Sequence, residues 1–409
     1  MATELTLADL SLFPATPEQT RESRSRHSVQ WSRGRPLHEY LHRDEVLEAH
    51  EHAANGNLIT WVLAPRNDPT TLNFLCSCET YRRAALVARP KYSAESKVAD
   101  PRIEAATAYG VASVYTPPKN RKKGYARHMM RLLHWVLAPR SALPSTFPSE
   151  WGTPPDIEML KSVGLANAQF SVLYSDVGRD FYRSCGTDPT SRNGWVVSGA
   201  TETFWKLDAS DVIAAKKTDV RFARLSESDL AALYEHDARW IKEDLIRHGR
   251  PGRTQFTFLP DKGVGMFVVR RIMDFTPDLQ PVLPSKQWGA VILPNGAHIL
   301  ADALAQPSPL SFVTWTLDLK TSPRTLVVSR LRADESTLPA LLDELLVVAR
   351  EEQVEKVEFW YMRPELRALA ESNGWKTEER VEHLSAVKWY GAEKEDDLEW
   401  VYNERFCWC

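Results

Sequence analysis

The sequence predicts an α/β (α+β) protein made of two similar units, each a mixed sheet flanked by helices. Three observations lead there. Short apolar, partly β-branched runs alternate with amphipathic stretches of three- and four-residue period. The 409 residues exceed what one ordinary core organises. The order of strands and helices in 1–216 then recurs, in degenerate form, in 217–409.

The elements follow in order. Residues 10–13 read as a first strand and 16–26 as a polar helix capped by Thr16. Gly34-Arg35-Pro36 breaks the pattern, and 37–54 reads as a helix stopped by Asn55-Gly56-Asn57. Strands are expected at 58–63 and 74–87, and 104–109 leads into a buried strand at 111–115. Pro117 and Pro118 end that strand, and a turn rich in cations follows: Lys119, Arg121, Lys122 and Lys123, with Arg127 just beyond. From Gly124 the period becomes helical, with Met129, Met130, Leu132, Leu133, Val136 and Leu137 on one face and Pro139 past the end. A long Pro- and Ser-rich loop, 139–156, is, together with the second unit, material for closing a site. A short helix (157–164), a strand (170–174), a second short helix (178–185) and a strand or two within 194–207 complete the first unit. The second opens with a strand near Val220 and a long helix capped by Ser226. Strands at 288–293, 312–319, 325–331, 357–361 and 384–390 and helices at 338–350 and 365–372 follow.

The strand, basic turn and glycine-led helix at 110–137 form an anion site. The first amides of a helix have no intrahelical partner, and the positive end of its dipole points the same way. Gly124 lets backbone approach a phosphate, and Ala126 stays out of its way. The corresponding turn of the second unit, Arg332 to Ser336, has no glycine and carries Asp334 and Glu335. Acids there repel a pyrophosphate, so that unit is expected to lack cofactor.

Composition excludes other classes. A net charge of -3 argues against general nucleic-acid binding. No apolar run reaches ~18 residues, so no membrane helix is expected. The opening residues lack the charged-then-apolar order of a signal peptide, and five cysteines make no disulfide framework. A cytoplasmic protein is expected. Cys76-x-Cys78 and Cys407-Trp408-Cys409 do not have zinc spacing, so no metal is expected.

Arg121-x-x-Gly124-x-Ala126 after a strand resembles the acetyl-CoA signature R/Q-x-x-G-x-G/A of the GNAT superfamily of N-acetyltransferases. SCETYRR (from Ser77), GVASVYTPPKNRKKGYA (from Gly110) and LYSDVGRDFY (from Leu173) resemble, more narrowly, the fungal lysine N-acetyltransferases of lysine catabolism. The turn at Cys185-Gly186-Thr187 departs from that pattern, which often has an aromatic after the glycine. The resemblance implies a GNAT catalytic domain at 1–216, a degenerate GNAT-like domain at 217–409, and acetyl-CoA as cosubstrate. It implies the side-chain amine of lysine as acceptor; another small amine, a protein lysine, or a non-catalytic CoA-binding role are the alternatives. It places cofactor contacts at Val114, Tyr115, Thr116, Arg121, Lys122, Lys123, Gly124, Tyr125, Ala126 and Arg127.

Amide formation requires a neutral amine, whereas an unperturbed lysine side chain has a pKa near ~10.4. The site must take up a proton and return one to the departing thiolate. Tyr182 stands where these enzymes often place a tyrosine near the cofactor sulfur, and is the expected general acid. Glu79, on a strand expected to face the cofactor strand, is the expected base. Pairing with Arg82 or Arg83 is its alternative role.

Overall fold

The computed structural model describes residues 5–90, 101–207, 220–250, 252–273, 286–320 and 322–409. The expected boundary at 216/217 lies outside them. Among the described residues, one sheet runs in spatial order β1 (Leu10–Pro14), β2 (Leu58–Pro65), β3 (Cys76–Arg89), β4 (Arg102–Tyr115), β5 (Ala168–Ser175), β15 (Leu384–Trp389) and β6 (Val196–Val197). On it, β9 (Thr254–Phe258) pairs with β3 and with β16 (Leu398–Trp400). The second sheet runs β8 (Phe222–Leu225), β10 (Gly289–Ile292), β11 (Phe312–Asp318), β12 (Thr325–Arg332), β13 (Lys356–Phe359), β7 (Thr201–Lys206) and β14 (Lys376–Glu379).

Helices α1 (Pro17–Trp31), α2 (Leu37–Glu48), α3 (Tyr125–Leu137), α4 (Ile157–Ser162) and α5 (Asp180–Arg183) belong to the first half. The second half carries α6 (Glu227–Arg247), α7 (Phe267–Met273), α8 (Leu300–Leu304), α9 (Leu338–Glu351) and α10 (Pro364–Ser372). Thr16 caps α1: its hydroxyl accepts from the Gln19 amide at 3.2 Å while Gln19 Oε1 accepts from the Thr16 amide at 3.0 Å. Helix α3 buries the apolar face legible in the sequence; Met129, Met130, Leu132, Leu133, Val136 and Leu137 are all fully buried.

The two sheets share one plan. Along its main strand order each has an antiparallel run, then one parallel pair joined by a helical crossover: β4–α3–β5 in the first, β12–α9–β13 in the second. Each also borrows its next strand from the other half. β15 lies between β5 and β6, and β7 lies between β13 and β14. The sequence reading put 384–390 in the second unit and 194–207 in the first; the strands exist, but Leu384–Trp389 and Thr201–Lys206 have exchanged sheets. A period-2 pattern tells which faces of a strand are buried, not which neighbour it pairs with. β9, α7 and β16 were not expected at all, and α2 ends six residues before the expected Ala54, at Glu48.

Loop 139–156 also behaves differently from expectation. It packs on α3, with Phe147 against Trp135 (4.7 Å) and Trp151 edge-on to His128 (6.0 Å), instead of closing a site.

In the second sheet, the opening beyond the last β12/β13 pair, Val328↔Phe359, is filled by charge. Arg330 Nε donates to Asp237 at 2.7 Å and its Nη1 to Glu404 at 2.7 Å, and Arg332 Nε donates to Asp237 at 3.0 Å. Glu404 also accepts from the Leu331 amide at 2.7 Å. Burial pushes the Asp237 carboxyl up, but the two guanidiniums outweigh it and hold it below its ordinary value. Its contribution to stability is therefore present above the unfolded value of ~3.9 and lost as pH falls through the lower folded one. Asp237→Ala should cost ~3–5 kcal/mol at neutral pH, because it leaves buried guanidiniums short of a partner. The midpoint of urea unfolding measures this; an unchanged midpoint would show the network to be dispensable.

Candidate active site

The first sheet has the same opening, without such a plug among the described residues. β4 pairs with β5 only from Thr107↔Ala168 to Val111↔Leu173; beyond that the two parallel strands part. There β4 bulges against β3, between the partners of Ser77 and Glu79, with Ser113 at φ +52°. The bulge turns the Ser113 hydroxyl onto Glu79, donating to Oε2 at 2.6 Å. Alternation along β3 puts Cys76 and Cys78 in the core under α3. Ser77 meets Ser23 of α1 at 2.8 Å, and Glu79 and Tyr81 face a cavity.

Beyond β4, the basic turn is built by two bonds. Asn120 Nδ2 donates to the Leu75 carbonyl at 3.0 Å, and Arg121 Nε donates to the Thr116 carbonyl at 3.0 Å. Lys122 (φ +63°) and Gly124 (φ +82°) take left-handed backbone, which curls the chain into the start of α3. No side chain caps that helix start. A Cβ on Gly124 would meet no atom within 4 Å, so the space above it is open. Arg121, Lys122, Lys123 and Arg127 are exposed around it, with Tyr125 and Ala126 half-buried.

The cavity measures about 680 Å³. Of the residues singled out from sequence, Glu79, Val114, Tyr115, Thr116, Arg121 and Tyr182 line it. Lys122, Lys123, Gly124, Tyr125, Ala126 and Arg127 stand outside its wall, on the turn and first helical turn. Tyr182 projects from α5, edge-on to Phe181 (5.0 Å) and Trp195 (6.4 Å). Burial pushes its hydroxyl well above the ordinary tyrosine value, and Cys185, Cys78 and Asp176 push the same way, so it keeps its proton. Glu79 makes no ion pair with Arg82 or Arg83 among the described residues. Arg83 Nη1 instead donates to the Cys407 carbonyl at 2.7 Å and Nη2 to that of Trp408 at 3.2 Å. Those bonds carry Trp408 and Cys409 into the cavity wall.

Sequence reasoning missed the rest of the wall. α1 and α2 contribute Arg24, His27, Tyr40 and Asp44, and the second half contributes Arg271, Asp318 and Arg405. The Tyr40 hydroxyl and His27 Nδ1 share a hydrogen bond at 3.0 Å. Burial, aided by Arg24 and Arg43 against Asp44, pulls His27 down to about 4, so it is neutral at physiological pH. One signal was readable: α1 is polar apart from Pro17, Val29 and Trp31, and its buried residues are Gln19, Ser23, Arg24, His27 and Ser28. A helix that buries a polar stripe faces something polar. The second-half residues left no such mark. Among the described residues no three His, Cys, Asp or Glu side chains converge to hold a metal, and no helix is long and apolar enough to cross a membrane.

Residues 208–409 match the family model of the LYC1 GNAT-like C-terminal domain. The chain is 25% identical over 199 residues to a lysine acetyltransferase of Yarrowia lipolytica, a match covering 48% of this chain and 42% of that protein. The chain thus spans less than half the length of this curated relative. Among solved structures, a GCN5-related N-acetyltransferase from Kribbella flavida superposes with a TM-score of 0.49 at 13% identity, over 93% of this chain and 70% of the other. The N-myristoyltransferase of Saccharomyces cerevisiae, solved with myristoyl-CoA and inhibitors, superposes at 0.41 and 7% identity, over 97% and 85%. The second half of the chain, residues 208–409, is thus similar to the LYC1 GNAT-like C-terminal domain.

Proposed function

We propose that this protein is an N-acetyltransferase that moves acetyl from acetyl-CoA to the side-chain amine of L-lysine, in lysine catabolism. One observation carries the reading most. The bulge of β4 brings the Glu79–Ser113 pair into the cavity wall, and the same strand runs on into the exposed Gly124 turn. A proton acceptor and an anion site thus sit at two ends of one strand opening. The acceptor is drawn from the lysine acetyltransferase to which the chain is similar.

The residues suit a CoA. The amides of Tyr125, Ala126 and Arg127 at an uncapped helix start, with Arg121, Lys122 and Lys123, would hold its pyrophosphate. The backbone of Val114, Tyr115 and Thr116, on the unpaired edge of β4, would hold its pantetheine. The bound thioester supplies an activated acetyl group. Glu79 takes the proton that a lysine ammonium must lose, and Tyr182 gives one to the departing sulfur. A cavity walled by both halves of the chain suits a small amine better than a protein chain.

Release of CoA thiol, followed with lysine, ornithine, polyamines and a lysine peptide, tests the reading. Turnover with lysine is expected, and its absence in the presence of another active amine would reassign the acceptor. Gly124→Val should raise KM for acetyl-CoA about tenfold or more, since a side chain at φ +82° is strained and fills the open space above the turn. Unchanged KM would remove the turn from the site.

A further inference from the structure

The cavity wall holds a cation with no ion-pair partner among the described residues. The Arg405 guanidinium lies 4.1 Å from the Trp360 ring centroid and 4.1 Å from that of Trp408. Two indoles thereby fix the plane of the fork. Its Nε is buried with no hydrogen-bond partner, and it makes no ion pair among the described residues. The carboxylates around it are engaged elsewhere: Asp318 with Arg33 at 3.0 Å, Asp176 with His383 at 3.0 Å, and Glu358 with Lys356 at 2.7 Å and Trp360 Nε1 at 2.9 Å. Burial, with Arg271 and Arg380 adding to it against Glu358 and Asp318, pulls Arg405 down to about 9. It remains charged at neutral pH. Arg271, over the other indole contact at 4.8 Å from the Trp408 centroid, adds to the positive field.

A buried, oriented guanidinium with no ion-pair partner among the described residues is costly unless something anionic completes it. Glu79 stands in a different part of the wall, where its field falls on Arg24, Tyr40 and Asp44. The cavity therefore has an acidic, proton-accepting place and a basic one. Resting on the acetyltransferase reading of this cavity, we propose that Arg405 binds a free carboxylate on the acceptor. The substrate class is then a small amino acid with a side-chain amine, held by its carboxylate at Arg405 and presenting its amine toward Glu79. A peptide-bound lysine or a polyamine lacks that carboxylate and is selected against. The flat fork matches a carboxylate with two parallel hydrogen bonds, which a lysine at this position could not do.

The test uses the full chain, with calorimetry and turnover side by side, and three ligands: L-lysine, L-lysinamide and cadaverine. Wild type is expected to bind lysine about 10- to 100-fold more tightly than the two ligands without a carboxylate. In Arg405→Met that preference should collapse toward one. Met still fills the gap between the indoles, and the thermal midpoint should not fall, because an unpartnered cation has been removed. Arg405→Lys keeps a charge and should recover only part of the preference. The proposal is overturned if wild type binds lysinamide as well as lysine, if it binds no lysine at all, or if Arg405→Met keeps the full preference. Carboxylate-dependent binding without acetyl transfer would leave the anchor standing and remove the acetyltransferase reading, so the two failures are told apart.

Discussion

Tyr182→Phe is expected to lower turnover by ~10²–10⁴-fold, the usual worth of a positioned acid. The substitution keeps the ring, and with it the edge-on contacts to Phe181 and Trp195, and removes only the hydroxyl. KM for acetyl-CoA and thermal stability should therefore hardly change. Because burial raises the hydroxyl above the ordinary value of ~10, it stays protonated across the usable pH range. No falling alkaline limb should then be traceable to this residue: wild type and variant should differ by a constant factor from neutral pH to pH ~10. Steady-state rates at saturating acetyl-CoA measure this. A variant as fast as wild type would return Tyr182 to a packing role.

The second large effect is expected at Glu79. Glu79→Gln keeps the shape and still accepts from the Ser113 hydroxyl, but cannot take a proton. Turnover with lysine should fall ~10²–10⁴-fold at neutral pH. The direction of recovery is specific. Below a pKa of ~10.4 the neutral amine increases tenfold for each pH unit. A variant without its base must rely on that fraction, so its rate should climb with pH at a slope near ~1 on logarithmic axes. Wild type, which removes the proton on the enzyme, should climb less steeply. A full neutral-pH rate in Glu79→Gln would assign the proton to another group in the wall, and His27, neutral and held by Tyr40, is the nearest in chemistry.

What could be read from the sequence by itself was local. The Met129 to Leu137 stripe specifies a helix by its period, and Pro117, Pro118 and Gly124 specify where the strand stops and the helix starts. Thr16 marks a helix start because its hydroxyl accepts from the Gln19 amide while Gln19 answers it, and Ser226 does so through its own amide and hydroxyl, which both donate to Asp229. The basic turn was legible for the same reason: a strand, a turn and a helix start lie within one short stretch, although the Asn120 bond that fixes it to the Leu75 carbonyl was not. Family likeness added Tyr182, and the expected place of its strand opposite the cofactor strand added Glu79; periodicity alone does not distinguish either from core and surface residues.

Only the tertiary structure decided how those pieces meet. The exchange of β7 and β15 between the sheets joins residues far apart in the chain, and period-2 patterning is the same in either sheet. A cut between the halves would remove an interior strand from both. The fate of the two openings was equally hidden. Val114 and Leu331 each lie three residues past the last parallel pair (111 to 114, 328 to 331), yet Glu404 occupies the Leu331 amide and, among the described residues, no such carboxylate occupies the first opening. Arg83 draws Trp408 to the cavity across more than three hundred residues of chain, and Trp408 in turn stacks on Arg405. An arginine near the end of a chain has the same local sequence whether it is solvated or sandwiched between indoles. Its burial, and hence its chemistry, is set by which distant surfaces fold against it, and that information does not reside in any window of neighbouring residues.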